Sequence, residues 1–335
     1  MHTLLVEFIQ GLPILIILSI IAACLFVLGK GADMLVEEAV TLSLRHGISK
    51  VIIGATIVSL GTTLPEVTVS VMSAINGKPD MALGNAVGSV ICDTGLILGA
   101  ATLFGAVPLD LYVVRRQGLF LMGLGVVLVL SCLPYSSLAG IFETGGRLPQ
   151  IVGFVFLGLL AVFLWVSTKW AKRTDSDFGV ESHEKGSTGV ILTKILVGIT
   201  MVIASSHVLI IAVEETAIRA NVPQSIIAAT LVAFGTSLPE LVTSITAVRK
   251  GHGELAVGNV IGADILNILL VAGASAAVTK GGLQASPNFF TLIFPAMIGL
   301  MIVFQVSTFV CKTHLTRISG ACLLGGYALY LILSI

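Results

Sequence analysis

Residues 54–99 read GATIVSLGTTLPEVTVSVMSAINGKPDMALGNAVGSVICDTGLILG, and residues 228–273 read AATLVAFGTSLPELVTSITAVRKGHGELAVGNVIGADILNILLVAG. A constant shift of 174 (240 − 66) lays the second stretch on the first without a gap, and 17 of the 46 aligned positions are identical. Self-similarity of this kind marks an internal repeat. Each copy sets a glutamate (Glu66 or Glu240), hydroxyl residues and a second polar helix inside apolar sequence. Ionisable residues at membrane depth are expensive to keep, so a functional site is their default reading.

The surrounding composition places that repeat in a bilayer. Of 335 residues, 56% are hydrophobic and 11% charged, against about 25% charged in soluble domains. The formal net charge is zero, which gives no reason to expect nucleic acid or an acidic partner. Five cysteines (Cys24, Cys92, Cys132, Cys311 and Cys322) lie mostly in apolar runs with no CxxC spacing, which suggests neither a disulfide framework nor a zinc site. The first Lys or Arg is Lys30, so the first apolar run lacks the basic flank of a cleaved signal and is expected to stay as a helix.

Apolar runs long enough to span, about 20 residues each, fall at 12–44, 51–76, 80–105, 113–134 and 149–168, then at 189–218, 224–248, 254–279, 286–308 and 316–334. The sequence therefore predicts an all-α polytopic membrane protein with ten transmembrane helices. Residues 1–168 form the first five-helix repeat, 169–189 a polar linker (KWAKRTDSDFGVESHEKGSTG) and 190–335 the second repeat. With the N-terminus outside, thirteen basic residues fall in inner loops and four (Lys78, Arg147, Arg219 and Lys280) in outer ones. The positive-inside rule then puts both termini outside the cell membrane and the linker in the cytoplasm. An odd number of helices per repeat forces the two repeats into opposite orientations, which is the architecture of secondary transporters with sites at the midplane.

In GTTLPE and GTSLPE a proline sits within a membrane helix, where it lacks the N–H for the carbonyl four residues back, that of Gly61 or Gly235. The helix is expected to open there and turn carbonyls and hydroxyls inward beside Glu66 and Glu240. Carboxylate, carbonyl and hydroxyl oxygens together suit a hard cation such as Ca²⁺ or Na⁺. Downstream, Asn85, Ser89 and Asp93 follow one another at i, i+4 and i+8 on one helix face, and Asn259, Ala263 and Asn267 repeat the pattern. Gly84 with Gly88, and Gly258 with Gly262, form GxxxG pairs that read as helix packing. Asp264 matches Val90 rather than an acid, and it either reaches the site from the side or pairs elsewhere. Lys30, Asp33, Glu37 and Glu38, and His207, Glu214 and Glu215, read as structural charges. Lys30 and Asp33 at i, i+3 can neutralise one another, and the others can snorkel to an interface.

The paired segments GTTLPE…GNAVGSVICD and GTSLPE…GNVIGADILN resemble the two alpha-repeats of the calcium/cation antiporter superfamily, specifically its sodium/calcium exchanger branch. The resemblance covers nearly the whole chain. It implies that Glu66 and Glu240 are central Ca²⁺ ligands shared with Na⁺. It also implies oxygens from Thr62, Thr63, Thr236 and Ser237 and from the carbonyls of Ser59 and Ala233. By the same resemblance Asp93 and Asn267 hold the facing carboxylate-or-amide position, and Ser89 supplies a sodium-site hydroxyl. Ala263 departs from the family's usual serine, a loss that neighbouring Asp264 could offset. An aspartate stands at the position of Asn267 in the potassium-dependent exchangers, so the neutral amide here implies potassium-independent transport unless Asp264 turns inward. Large calcium-sensing domains in the linker are absent from the pattern.

The expected activity is export of Ca²⁺ driven by Na⁺ entry through alternating access, with Na⁺, Ca²⁺ and membrane lipid as partners and no cofactor. A monomer is expected. The alternatives are an antiporter coupled to protons or carrying another divalent cation and, from another class, a cation channel, although channels more naturally repeat as rings of subunits. An enzyme is not expected, since Cys92 beside Asp93 has no histidine nearby in sequence to act as its base. Single cysteines at Thr144 and Ser187, in a cysteine-free background, are expected to react with an impermeant maleimide from opposite sides of the membrane, Thr144 from outside. Reaction of both from one side contradicts the inverted arrangement.

Overall fold

A computed structural model of the chain describes residues 2–135, 140–171, 187–220, 235–311 and 313–334. The described chain is almost entirely helical. A short helix, α1 (His2–Gln10), which hydropathy alone does not predict, precedes α2 (Ile14–His46). Helix α2 ends at Gly47, whose φ of 61° suits a residue without a Cβ. Next come α3 (Lys50–Thr62) and α4 (Leu64–Ile75), one apolar span bent by 47° at Thr63. Then follow α5 (Pro79–Phe104), α6 (Leu111–Cys132) and α7 (Gln150–Ala171). The second half holds α8 (Thr188–Arg219), α9 (Leu238–Arg249), α10 (Gly253–Val278), α11 (Phe289–Val310) and α12 (Arg317–Ser334).

Among the described residues eight helices are long and apolar enough to cross a membrane, nine if α3 and α4 count as one broken span. The protein is thus a multi-pass membrane protein. The expected span 224–248 falls partly outside the described residues, with only its C-terminal part visible as α9. The linker, apart from its ends, also lies outside them.

Helices α10 and α5 form the centre. In α10, 94% of the most apolar stretch is buried in protein, and in α5 72%. A helix that is apolar all round belongs in a core. The corresponding stretches of α2, α7 and α12 are only 17–22% buried, with Leu15, Phe26, Ile151 and Ile318 facing outward. The α10 core packs on α3 through glycines. A Cβ at Gly258 would run into the Val51 carbonyl, one at Gly262 into the Ala55 backbone, and one at Gly54 into the Leu255 carbonyl. The expected packing role of the second GxxxG pair is therefore visible at atomic level.

Two short antiparallel strand pairs tie loops of the two halves together. Strand β1 (Val107–Pro108) pairs with β4 (His314–Leu315), and β2 (Gly146–Leu148) with β3 (Leu283–Ala285). Each pair joins loops that hydropathy assigns to the same side.

The charges of α2 find partners other than those local spacing suggests. Asp33 and Glu37 both pair with Lys250, at 3.1 and 2.5 Å, and Glu38 pairs with Lys194 at 2.5 Å. Lys30 lies over the Phe26 ring instead of against Asp33. The hydrogen bond to Glu37, foremost, and that to Asp33 raise the Lys250 pKa. Burial, and then the Lys50 ammonium, lower that of His252. This keeps the ring able to accept from Lys50 Nζ at 3.3 Å.

Backbone contacts cannot yield as a side chain can, so Gly258→Leu is expected to be overpacked by more than the ~1–3 kcal/mol typical of an inserted core group. It should lower the thermal midpoint of the detergent-solubilised protein or prevent recovery of folded protein. Gly299→Ala, where a Cβ meets nothing within 4 Å, should leave the midpoint near wild type. Equal midpoints for all three proteins contradict the close approach.

Candidate functional site

The bend at Thr63 turns two kinds of polar group toward the core. Pro65 and Pro239 occupy the first turns of α4 and α9, where a missing N–H costs nothing. Glu66 and Glu240 follow in the same turns, each 1% exposed. The N-terminal ends of both helices thus face these carboxylates, which a helix dipole favours.

The facing helices α5 and α10 each widen into a π-helical turn, at Cys92–Ile97 and Asn267–Ala272. Such turns recur at functional sites. Here they coincide with the point where Asn267 Nδ2 donates to Asp93 Oδ2 across the two helices at 3.2 Å. These two residues are related by the 174-residue shift, so the pair sits where the repeats meet.

The other contacts occur in matched pairs. Asn85 Nδ2 donates to Ser70 Oγ at 2.9 Å, and Asn259 Nδ2 donates to Ser244 Oγ at 3.2 Å. Both steps stay within one half. Thr62 Oγ1 then reaches Asn259 Oδ1, and Thr236 Oγ1 reaches Asn85 Oδ1, each at 3.5 Å and each crossing to the other half. Thr63 Oγ1 donates to Glu240 Oε1 at 3.3 Å. Every bond except the last has its mate under the shift.

Of the residues singled out in the sequence, Ser59, Thr62, Thr63, Glu66, Ser89, Asp93, Ser237, Glu240, Asp264 and Asn267 are all at most 3% exposed. Thr236 is half-buried. Ala263 is fully buried, while Ala233 lies outside the described residues. The Ser59 carbonyl accepts the Thr63 N–H at 2.9 Å. Asp264 turns to Thr94, whose Oγ1 donates to Oδ2 at 2.5 Å. Sequence reasoning missed Thr94 and the serines Ser70 and Ser244. The serines had a usable signal, since each lies four residues after a site glutamate in both repeats.

The site is rich in acceptors and poor in donors. Both oxygens of Glu66, Oε2 of Glu240, and Oδ1 of Asp93, Asn267 and Asp264 are buried without a hydrogen-bond partner. The ion pairs Lys194–Glu38, Arg219–Glu215, Lys250–Asp33 and Lys250–Glu37 involve none of these carboxylates. Buried polar groups are ordinarily satisfied, so this much unpaired oxygen fits a place where cations bind. Among the described residues no three His, Cys, Asp or Glu side chains converge on one point. The oxygen set is mixed, with carboxylate, amide and hydroxyl contributions, and that mix suits hard cations better than transition metals.

The fold and this constellation are those of a cation antiporter. The sequence pattern of the family described as sodium/calcium exchanger protein matches residues 16–169 and 191–335. The chain belongs to that family. It is 32% identical to the inner membrane protein YrbG of Escherichia coli over 310 residues, which is 90% of this chain and 91% of that one. It is 28% identical to the sodium/calcium exchanger MaX1 of Methanosarcina acetivorans, covering 90% of this chain and 94% of the other. Among solved structures the sodium-calcium exchanger NCX_Mj superposes with a TM-score of 0.77 at 24% identity, over 96% of this chain and 100% of that one. At that identity the likeness concerns the fold. The family is one of transporters, and transport of Ca²⁺ in exchange for another cation is the activity it defines.

Proposed function

We propose that the protein exports Ca²⁺ in exchange for Na⁺, with ten helices arranged as two inverted five-helix repeats about the Asp93–Asn267 pair. The observation that carries this reading is the exchange of partners between halves. Thr62 with Asn259 and Thr236 with Asn85 are interchanged by the 174-residue shift. The β1–β4 and β2–β3 pairs, which likewise join the two halves, agree with the same relation.

Glu66 and Glu240 are the principal Ca²⁺ ligands in this reading, with Asp93 and Asn267 opposite them. Thr62, Thr63, Thr236, Ser237 and Ser89, and the carbonyls of Ser59 and Ala233, lie around them. Antiport follows from competition. A site crowded with unpaired carboxylate oxygens crosses the membrane readily only when Na⁺ or Ca²⁺ neutralises it, because a bare buried charge costs several kcal/mol. Loading by one ion therefore requires release of the other. The relative YrbG is named an inner membrane protein. Together with the positive-inside bias, this supports a cell-membrane location with both termini outside.

The test is uptake of radiolabelled calcium into inverted membrane vesicles under an imposed sodium, proton or no gradient. Outward sodium should drive uptake, and an equal proton gradient without sodium should not. Uptake driven by protons alone would replace sodium as the coupling ion. Glu66→Gln and Glu240→Gln should each lower sodium-driven uptake by at least ten-fold, because an amide loses the charge that compensates for dehydration of Ca²⁺. Wild-type rates in either variant, with equal protein in the membrane, would move the site elsewhere. Ala263→Ser should be mild by comparison.

A further inference from the structure

Ser70 and Ser244 stand one turn after the site glutamates on α4 and α9, and both side chains are fully buried. Each accepts from an amide on the neighbouring helix, Ser70 Oγ from Asn85 Nδ2 of α5 at 2.9 Å and Ser244 Oγ from Asn259 Nδ2 of α10 at 3.2 Å. The other end of each amide crosses to the opposite half. There Oδ1 of Asn85 accepts from Thr236 Oγ1 and Oδ1 of Asn259 from Thr62 Oγ1, both at 3.5 Å. The relays Ser70–Asn85–Thr236 and Ser244–Asn259–Thr62 are interchanged by the 174-residue shift.

We infer that Ser70 and Ser244 are positioning residues, each of which sets the hydroxyl of the threonine in the opposite half by holding the amide between them in one sense. This rests on reading the core as a cation-transport site, and it adds to that site two residues that touch no ion.

An amide offers two donors on nitrogen and acceptor lone pairs on oxygen, so turning it over exchanges what it shows to each side. The sense of Asn85 is fixed by a group that can only accept, since its Nδ2 also donates to the Glu66 carbonyl at 3.4 Å. Asn259 takes the same sense as its repeat mate, with Ser244 Oγ as the acceptor of Nδ2 among the described residues. The contacts on the serine side are the shorter ones, so the serines set the amides and the threonines follow. A threonine hydroxyl carries one proton and two lone pairs. With Oδ1 facing it, Thr62 can give its proton to the amide and keep both lone pairs for a cation. The Val58 and Ser59 carbonyls, at 3.3 and 3.4 Å, compete for that proton. With the amide turned over, Nδ2 takes one lone pair and the proton goes to one of those carbonyls. Two oxygens that face the site then lose coordinating capacity at once.

The experiment measures equilibrium binding of ⁴⁵Ca²⁺ to the purified, detergent-solubilised full chain, with the thermal midpoint recorded for every variant. Ser244→Ala should weaken binding about ten-fold, because the lost acceptor leaves a buried donor unpaired. Ser70→Ala should weaken it by only about three-fold, because Asn85 keeps the Glu66 carbonyl. The deciding readout is a pair of double-mutant cycles. In a Thr62→Val background, which removes the hydroxyl that the relay reaches in the opposite half, Ser244→Ala should weaken binding no further. In a Thr236→Val background, which removes the threonine of its own half, Ser244→Ala should still weaken it about ten-fold. Should a threonine variant bind too weakly to measure, the same two cycles are read in the thermal midpoints, with the same crossed pattern expected. Equal added losses in the two backgrounds give Ser244 a packing role and overturn the inference, as does wild-type affinity in Ser244→Ala. Either result leaves the cation site itself standing. A wild-type chain that binds no calcium overturns the reading of the site and the inference together.

Discussion

Four carboxylates, Glu66, Asp93, Glu240 and Asp264, lie within an apolar helical core, and none of the ion pairs among the described residues reaches them. The remaining structure depends on that constraint. Taking such charges out of water costs several kcal/mol apiece unless they are paired, and the hydroxyls and amides around them offer only a few donors. The helix break before Glu66, the π-helical turns at Asp93 and Asn267, and the close helix contacts around them all aim oxygen at a common interior. In the reading proposed above, cations supply what the protein leaves out in this core.

Repetition makes such a core affordable to build from a short sequence. A proline-terminated break, a glutamate, an amide and a serine are specified once, and the second copy supplies the complementary set. The cross-half bonds Thr62–Asn259 and Thr236–Asn85 mean that neither half completes the polar network alone. Glycine at Gly54, Gly258 and Gly262 lets α3 and α10 approach until backbone meets backbone. That distance decides whether a hydroxyl on one half reaches an amide on the other. Departures from the symmetry are correspondingly informative: Asp93 faces an amide instead of a second acid, and Asp264 faces a threonine where the repeat has hydrocarbon.

Much of this was legible in the sequence where the signal is local. The run 113–134 became Leu111–Cys132, and 189–218 became Thr188–Arg219, because about 20 apolar residues in lipid leave a helix little alternative. The break in GTTLPE was legible from the chemistry of proline, and the site glutamates from their depth and repetition. Contacts that cross between halves were not legible. Nothing near Asp33 in sequence announces Lys250, and local spacing pointed to Lys30 instead. Thr94 lies within an apolar helix, and only the three-dimensional register of α5 against α10 gives it to Asp264. The π-helical turns had no periodic signature, since they arise where two helices accommodate one another. The short helix α1 was too brief for a hydropathy argument, and its Ile9 joins a cluster with Ile17 and Ile211 that only the fold assembles.

The central claim is that one carboxylate-lined core holds either calcium or sodium. Equilibrium binding of ⁴⁵Ca²⁺ to the purified protein during titration with NaCl, at ionic strength held constant with choline chloride, tests it most directly. Bound calcium should fall to background as sodium rises, with a sigmoidal dependence that reflects more than one sodium per calcium displaced, and choline alone should leave it in place. Calcium that stays bound at saturating sodium would contradict a shared site.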